Sequence, residues 1–294
     1  MMELVVDGRH VLGEGIVWDD RGGCLYWTDI ERSELWSHAP ATGALQRWPL
    51  PERLCSMALT TDGGRLLLGL ASGLAFFDLA SGEIRRICDV EADVPTTRLN
   101  DGRTDRQGRF VFGMFNQAED PKDPIGGFYR LNHDLTLEHL PLGRVAIANS
   151  ICFSPDGRTM YYADSGTRDI RCCDYDPATG AVANLRQFAP ADAAPGDPDG
   201  STIDADGYLW STRWGAGQVV RFAPDGSVDR VLTLPAPQPT CPAFGGAGLD
   251  VLYVTSATVG LRAGQLADAP KSGGVFAQTL PVRGLTEVRF AGKR

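Results

Sequence analysis

Short apolar or alternating runs, each preceded by a polar turn rich in Asp and Gly, recur along the whole chain of 294 residues. Period-two alternation bounded by such turns predicts β-strands joined as hairpins. The unit can be read six times. Asp19-Asp20-Arg21-Gly22-Gly23 leads into Cys24-Leu25-Tyr26-Trp27, and Thr61-Asp62-Gly63-Gly64 into Arg65-Leu66-Leu67-Leu68. Asp105-Arg106-Gln107-Gly108 precedes Arg109-Phe110-Val111-Phe112, and Ser154-Pro155-Asp156-Gly157 precedes Arg158-Thr159-Met160-Tyr161-Tyr162. Asp204-Ala205-Asp206-Gly207 opens the fifth copy and Gly248-Leu249-Asp250 the sixth. No segment of about a dozen residues carries a helical period.

The turn glycines return every 41–50 residues, the spacing of a four-stranded propeller blade. Asp-Gly supplies the positive φ that tight hairpins require, and the β-branched and aromatic residues beside it suit a half-buried pleated surface. The expected architecture is all-β, a six-bladed β-propeller of four-stranded blades forming one domain over residues 1–294. The strand-like Glu3-Leu4-Val5-Val6 is left over and is expected to complete the last blade, closing the ring. An open β-sandwich or two smaller β domains is the competing arrangement.

Composition narrows the partners. The chain has 28 Lys and Arg against 37 Asp and Glu, a formal charge of −9, so a phosphate backbone is an unfavourable partner. The N-terminus lacks a basic and then apolar leader, and no run approaches the roughly 18 apolar residues of a membrane helix. A cytoplasmic protein without nucleic-acid or membrane partners is expected. Seven scattered cysteines without a Cys-x-x-Cys pair predict free thiols. Nothing in the pattern fixes the oligomeric state.

Four polar interruptions stand at the entrances of apolar strands: Glu14 in Leu12-Gly13-Glu14-Gly15, Asn100 in Arg98-Leu99-Asn100-Asp101-Gly102, Asn149 in Ala148-Asn149-Ser150, and Asp199 in Pro198-Asp199-Gly200. Each lies about eight residues before its blade's turn glycine. Equivalent positions of a repeat occupy equivalent places, so the four side chains should converge at the central channel. Taken singly, the amides read as turn caps, Asp199 as an Asx turn and Glu14 as a solvated acid. Taken together, two carboxylates and two amides describe an oxygen site for a hard divalent cation. No His falls at such a position. No Gly-x-Ser-x-Gly elbow, P-loop or dinucleotide fingerprint is present.

The ordered motifs Leu-Gly-Glu-Gly, Arg-x-Asn-Asp-Gly, Asn-x-x-x-Phe-Ser-Pro-Asp-Gly and Pro-Asp-Gly, with Phe244-Gly245-Gly246 near the end, resemble the gluconolactonase/senescence-marker-protein family of regucalcins and sugar lactonases. The resemblance spans about residue 10 to about residue 290. It implies one divalent cation (calcium, zinc, magnesium, manganese or iron(II)) held by Glu14, Asn149 and Asp199. It also implies substrate contacts from Arg98 and Asn100. This sequence departs from the common pattern in having Ile16 after Leu-Gly-Glu-Gly, and Ser150 after the metal-site Asn.

Hydrolysis of a sugar lactone is the activity the resemblance implies. Asp199 is then the expected base as well as a ligand, and Asp101, beside Asn100, is a further substrate-side residue and the second candidate base. Arg213, beside Trp214, is a candidate contact for a substrate carboxylate. Two other readings keep the same cation: an esterase or organophosphate hydrolase, and a non-enzymatic calcium-binding scaffold.

Overall fold

The computed structural model describes residues 2–118 and 120–292. After β1 (Glu3–Val6), the first blade comprises β2 (Gly13–Asp19), β3 (Cys24–Asp29), β4 (Glu34–Ala39) and β5 (Ala44–Pro49). The second holds β6 (Leu54–Leu59), β7 (Arg65–Leu70), β8 (Gly73–Asp78) and β9 (Ile84–Asp89), and the third β10 (Thr97–Thr104), β11 (Phe110–Asn116), β12 (Gly126–Leu131) and β13 (Leu137–Val145). The fourth has β14 (Ala148–Phe153), β15 (Thr159–Asp164), β16 (Ile170–Tyr175) and β17 (Val182–Ala189). The fifth has β18 (Asp197–Ile203), β19 (Leu209–Trp214), β20 (Gln218–Phe222) and β21 (Val228–Thr233). The sixth is built from β22 (Pro239–Gly245), β23 (Val251–Ser256) and β24 (Val275–Thr279), with the short helix α1 (Ala263–Asp268) between the last two.

Every sheet is a four-stranded antiparallel meander. In the sixth, β1 pairs with β24, Leu4 opposite Phe276, as its outermost strand. The innermost strands β2, β6, β10, β14, β18 and β22 neighbour one another in a complete cycle around the channel, as expected of a six-bladed propeller. The radial gradient of burial follows from that position. The innermost β6 and β14 are buried throughout, whereas the outermost β5 and β21 are mostly exposed. A strand covered on both faces must be apolar on both, which is why the inner runs do not alternate.

Among the described residues the apolar core falls into six clusters, one between each neighbouring pair of blades. Leu67, Leu74 and Phe76 of the second blade, for example, meet Leu99, Phe110 and Phe112 of the third. Trp210 and Val219 of the fifth meet Phe244 and Leu252 of the sixth.

The C-terminal segment is a feature the strand pattern did not announce. Its backbone and side chains cross the ends of the inner strands at the Asp-Gly turns. The Ala205 N–H donates to Arg283 O, Arg103 pairs with Glu287 at 2.8 Å, and Arg289 pairs with Asp19 at 2.5 Å. Phe290, fully buried, is tied to Leu59 and Thr61 by backbone hydrogen bonds. The segment covers one end of the channel. Glu14, Asn100, Asn149 and Asp199 lie near the beginnings of the same strands, at the other end.

Candidate active site

All six inner strands share a local irregularity near the open mouth, and in four of them it falls at an expected site residue. Pairing of β2 with β3 shifts between Glu14 and Val17, and that of β10 with β11 between Leu99 and Gly102. The β14–β15 and β18–β19 ladders shift between Asn149 and Cys152 and between Pro198 and Ser201. A bulge of this kind takes residues out of the ladder and re-aims their side chains. Gly15 after Glu14 and Ser150 after Asn149 take matching left-handed conformations, with φ of 59° and 58°. Gly200 has no room for a side chain, because a Cβ would lie 2.8 Å from Thr240 O.

The bulges bring the expected residues together. Glu14, Arg98, Asn100, Asn149 and Asp199 line one cavity of about 500 Å3 at the channel mouth. A hydrogen-bonded relay fixes the amides. Arg98 Nη1 donates to Asn100 Oδ1 at 2.6 Å, and Asn100 Nδ2 donates to Asn149 Oδ1 at 3.1 Å. Asn149 Nδ2 donates to Ser165 Oγ at 2.8 Å, and Ser165 Oγ to Pro198 O at 2.7 Å. The backbone carbonyl of Asp199 accepts from Ser150 Oγ at 2.6 Å. Asn149 therefore presents its oxygen toward Asn100, with its nitrogen spent on Ser165.

Electrostatics at the floor are dominated by desolvation. Burial pushes Glu14 from the usual 4.5 up to about 8, against the opposing pull of the Gly15 N–H and with the Asp101 charge adding to the rise. Asp199 is held well above the ordinary carboxylate range by burial and then by the charges of Glu14 and Asp101. Two carboxyl groups within hydrogen-bonding reach of each other at the floor of a cavity are costly to ionise together. Oxygen from Glu14, Asp199 and the Asn149 amide suits a hard divalent cation, whose charge would offset theirs. Among the described residues no group of three or more His, Cys, Asp or Glu side chains forms a metal cluster, so the amide is needed to complete such a set.

Two expected residues sit elsewhere. Asp101 does not line the cavity: its Oδ1 accepts from Gly102 N at 2.8 Å and its Oδ2 from Ile151 N at 2.7 Å. Its carboxylate clamps the third blade to the fourth behind the amides instead of facing substrate. Arg213 is buried, and its guanidinium donates to the backbone carbonyls of Ala194, Pro195 and Gly196 at 2.8–3.2 Å. It holds a loop and does not line the cavity. In both cases the neighbour in sequence faces the cavity and the predicted residue does not: alternation turns Arg213 away from Trp214, and the bulge in β10 turns Asp101 away from Asn100.

The cavity wall also contains residues that the motifs did not single out for it. Phe115, Lys122 and Ser165 line it, together with Trp214, which had entered the sequence reading only as the neighbour of Arg213. The guanidinium of Arg98 lies 4.4 Å from the Phe115 ring centroid and the Lys122 ammonium 5.2 Å from it. A larger hollow of about 680 Å3 adjoins this one and shares Asp120, Lys122 and Ile147, but contains none of Glu14, Asn100, Asn149 or Asp199.

Comparison with known proteins gives the family of the chain. The chain is 53% identical over 290 residues to an L-arabinolactonase of Azospirillum brasilense, covering 98% of this chain and 95% of that one. It is 36% identical to a 6-deoxy-6-sulfogluconolactonase of Pseudomonas putida, covering 99% of both. The crystal structure of the calcium-binding protein regucalcin from Agrobacterium tumefaciens superimposes with a TM-score of 0.93 at 30% identity, covering 99% of this chain and 97% of that one. Residues 12–258 match the model of the SMP-30/gluconolactonase/LRE-like region, a span that contains every residue of the cavity floor. On these grounds the chain belongs to the SMP-30/gluconolactonase family.

Proposed function

We propose that this protein is a divalent-cation-dependent hydrolase that opens the lactone ring of a neutral sugar acid, with pentonolactones such as L-arabinonolactone the favoured substrates. The observation that carries the reading is the meeting of two carboxyl groups, the half-buried Glu14 and the buried Asp199, with two ordered amides and Arg98 in one cavity at one mouth of the channel. The naming of relatives as lactonases supports the reaction class, and the 53% identical arabinolactonase supports the pentonate choice. Charge supports a neutral substrate. Glu14, Glu31, Asp120, Asp197 and Asp199 line the cavity against Arg98 and Lys122, so a second substrate anion meets repulsion even beside a divalent cation.

Glu14, Asn149 and Asp199 would hold the cation, which when bound supplies polarisation of the lactone carbonyl worth several kcal/mol. Arg98 Nη1 is committed to Leu99 O and Asn100 Oδ1, and its Nε is buried away from the cavity, so Nη2 is the donor left to hold a substrate oxygen. Asn100, fixed between Arg98 and Asn149, orients the ring. Asp199 takes a proton from the attacking water as its oxygen bonds to the carbonyl carbon. It returns that proton to the ring oxygen as the carbon–oxygen bond breaks, so one water is added and the open hydroxy acid leaves. General-base help of this type contributes about 10²–10⁴-fold.

The test is a pH-stat screen of fresh L-arabinono-, D-xylono- and D-gluconolactones, with and without a chelator and with added divalent cations. Hydrolysis above the matching metal-containing blank, lost on chelation and restored by one cation, is expected. Opening at the blank rate on every lactone and cation would overturn the reading.

A further inference from the structure

The six tryptophans of the chain are not equivalent. Trp18 stacks on Tyr253, Trp27 on Trp36, and Trp48 meets Phe77 edge-on. Trp210 packs against Phe244 and donates its indole N–H to Asp204. Trp214 alone among them lines the catalytic cavity, and among the described residues its ring has no aromatic or cationic partner and its indole N–H no acceptor. It is half-buried, with a face left for something the protein does not supply.

Its backbone is tied into the inner strand ladder. Trp214 ends β19 opposite Asp197, two residues from Asp199 on the paired strand. Its neighbour Arg213 is anchored by the three carbonyls of residues 194–196. The chain then turns sharply through Gly215 and Gly217, both at positive φ. A sugar lactone is two-faced: hydroxyls project from its edge, while its ring C–H bonds form a compact apolar face. The floor of Glu14, Asn100, Asn149 and Asp199 is polar, whereas Trp214 offers the electron-rich face that C–H groups of slight positive charge prefer.

We infer that Trp214 is a specificity-determining residue, the platform against which the closed lactone ring packs while its carbonyl meets the polar floor. The inference rests on the proposed lactonase activity and adds a substrate-shape criterion to it. The ring's flat face disappears when the ester opens, so the platform favours the lactone over the extended acid product. It thereby binds substrate and lets product go.

The test uses Trp214→Phe and Trp214→Ala, each checked for an unchanged melting transition. Trp214→Ala is expected to raise KM for the pentonolactone about tenfold, equivalent to about 1.4 kcal/mol, with kcat within about threefold. Inhibition by the open acid should change less than twofold, and Trp214→Phe should fall between the wild type and Trp214→Ala. A second readout needs no turnover. Titration with a 1,4-anhydropentitol, which keeps the five-membered ring but lacks the ester, should perturb the indole fluorescence of the wild type saturably and leave Trp214→Phe silent. An unchanged KM in Trp214→Ala, no saturable change in the wild type, or a change that persists in Trp214→Phe would overturn the platform. Should the wild type open no sugar lactone, the proposed activity falls, and the fluorescence titration still decides the role of Trp214.

Discussion

The carboxyl groups of Glu14 in the first blade and Asp199 in the fifth stand within hydrogen-bonding reach of each other. Neither blade neighbours the other in sequence, and the contact exists only because the inner strands close into a ring. Each negative charge raises the cost of the other, and removal from water raises both.

That relationship sets a pH dependence. The metal-free folded chain keeps a proton on Glu14 up to about pH 8, whereas the unfolded chain releases it near the usual 4.5. The folded state thus binds more protons through that window, so its stability falls as pH rises from about 4.5 to about 8. Chelator-treated protein should melt at a lower temperature at pH 8.5 than at pH 5.5. Added divalent cation should raise the transition more at the higher pH, and Glu14→Gln should flatten the chelated profile. A pH-independent transition in the chelated wild type would contradict the desolvated pair.

The propeller was legible in the sequence because its signals are local. Asp-Gly turns, apolar inner runs and the spacing of the turn glycines each follow from the backbone of a hairpin. The convergence of Glu14, Asn100, Asn149 and Asp199 was legible because repeats place equal offsets at equal positions. Asp101 and Arg213 were not, since each lies beside a cavity residue, Asn100 or Trp214, and faces away from it. The C-terminal segment was invisible for another reason: it makes no sheet, and its anchors, Glu287, Arg289 and Phe290, are recognisable only from partners in distant blades.

Arg213→Ala separates a loop anchor from a substrate contact. Three hydrogen bonds from a buried guanidinium would be lost and three carbonyls at 194–196 left without that donor. The expected loss of stability is about 3 kcal/mol, read by denaturant titration. The ratio of rates on neutral and carboxylated lactones should not move. A changed ratio at unchanged stability would restore the recognition role.

Phe290→Ala tests the segment across the far end of the channel. Truncating a fully buried aromatic side chain typically costs about 3–5 kcal/mol. Because Phe290 packs at the Asp-Gly turns, away from the cavity, kcat/KM well below the melting transition should match the wild type. A large rate loss in the folded variant would mean that the two ends of the channel are coupled.

The last prediction divides the acids by geometry. Asp199→Asn keeps an oxygen donor and similar volume but removes the basic carboxylate from the cavity. It should retain part of the metal affinity, measured by native mass spectrometry, while kcat falls about 10²-fold or more. Asp101→Asn removes no group from the cavity lining. One of its two backbone N–H partners, Gly102 or Ile151, would face an amide nitrogen instead of an acceptor. Its main expected effect is a loss of about 1–3 kcal/mol of stability, with kcat reduced far less than in Asp199→Asn. Both rates must be compared with a metal-containing buffer blank, because lactones open measurably in water. If metal-loaded Asp199→Asn turns over like the wild type, Asp199 is a ligand and not the base. If Asp101→Asn is the slower enzyme at full metal occupancy and wild-type stability, the proton passes through Asp101, and the backbone clamp seen here must open during turnover.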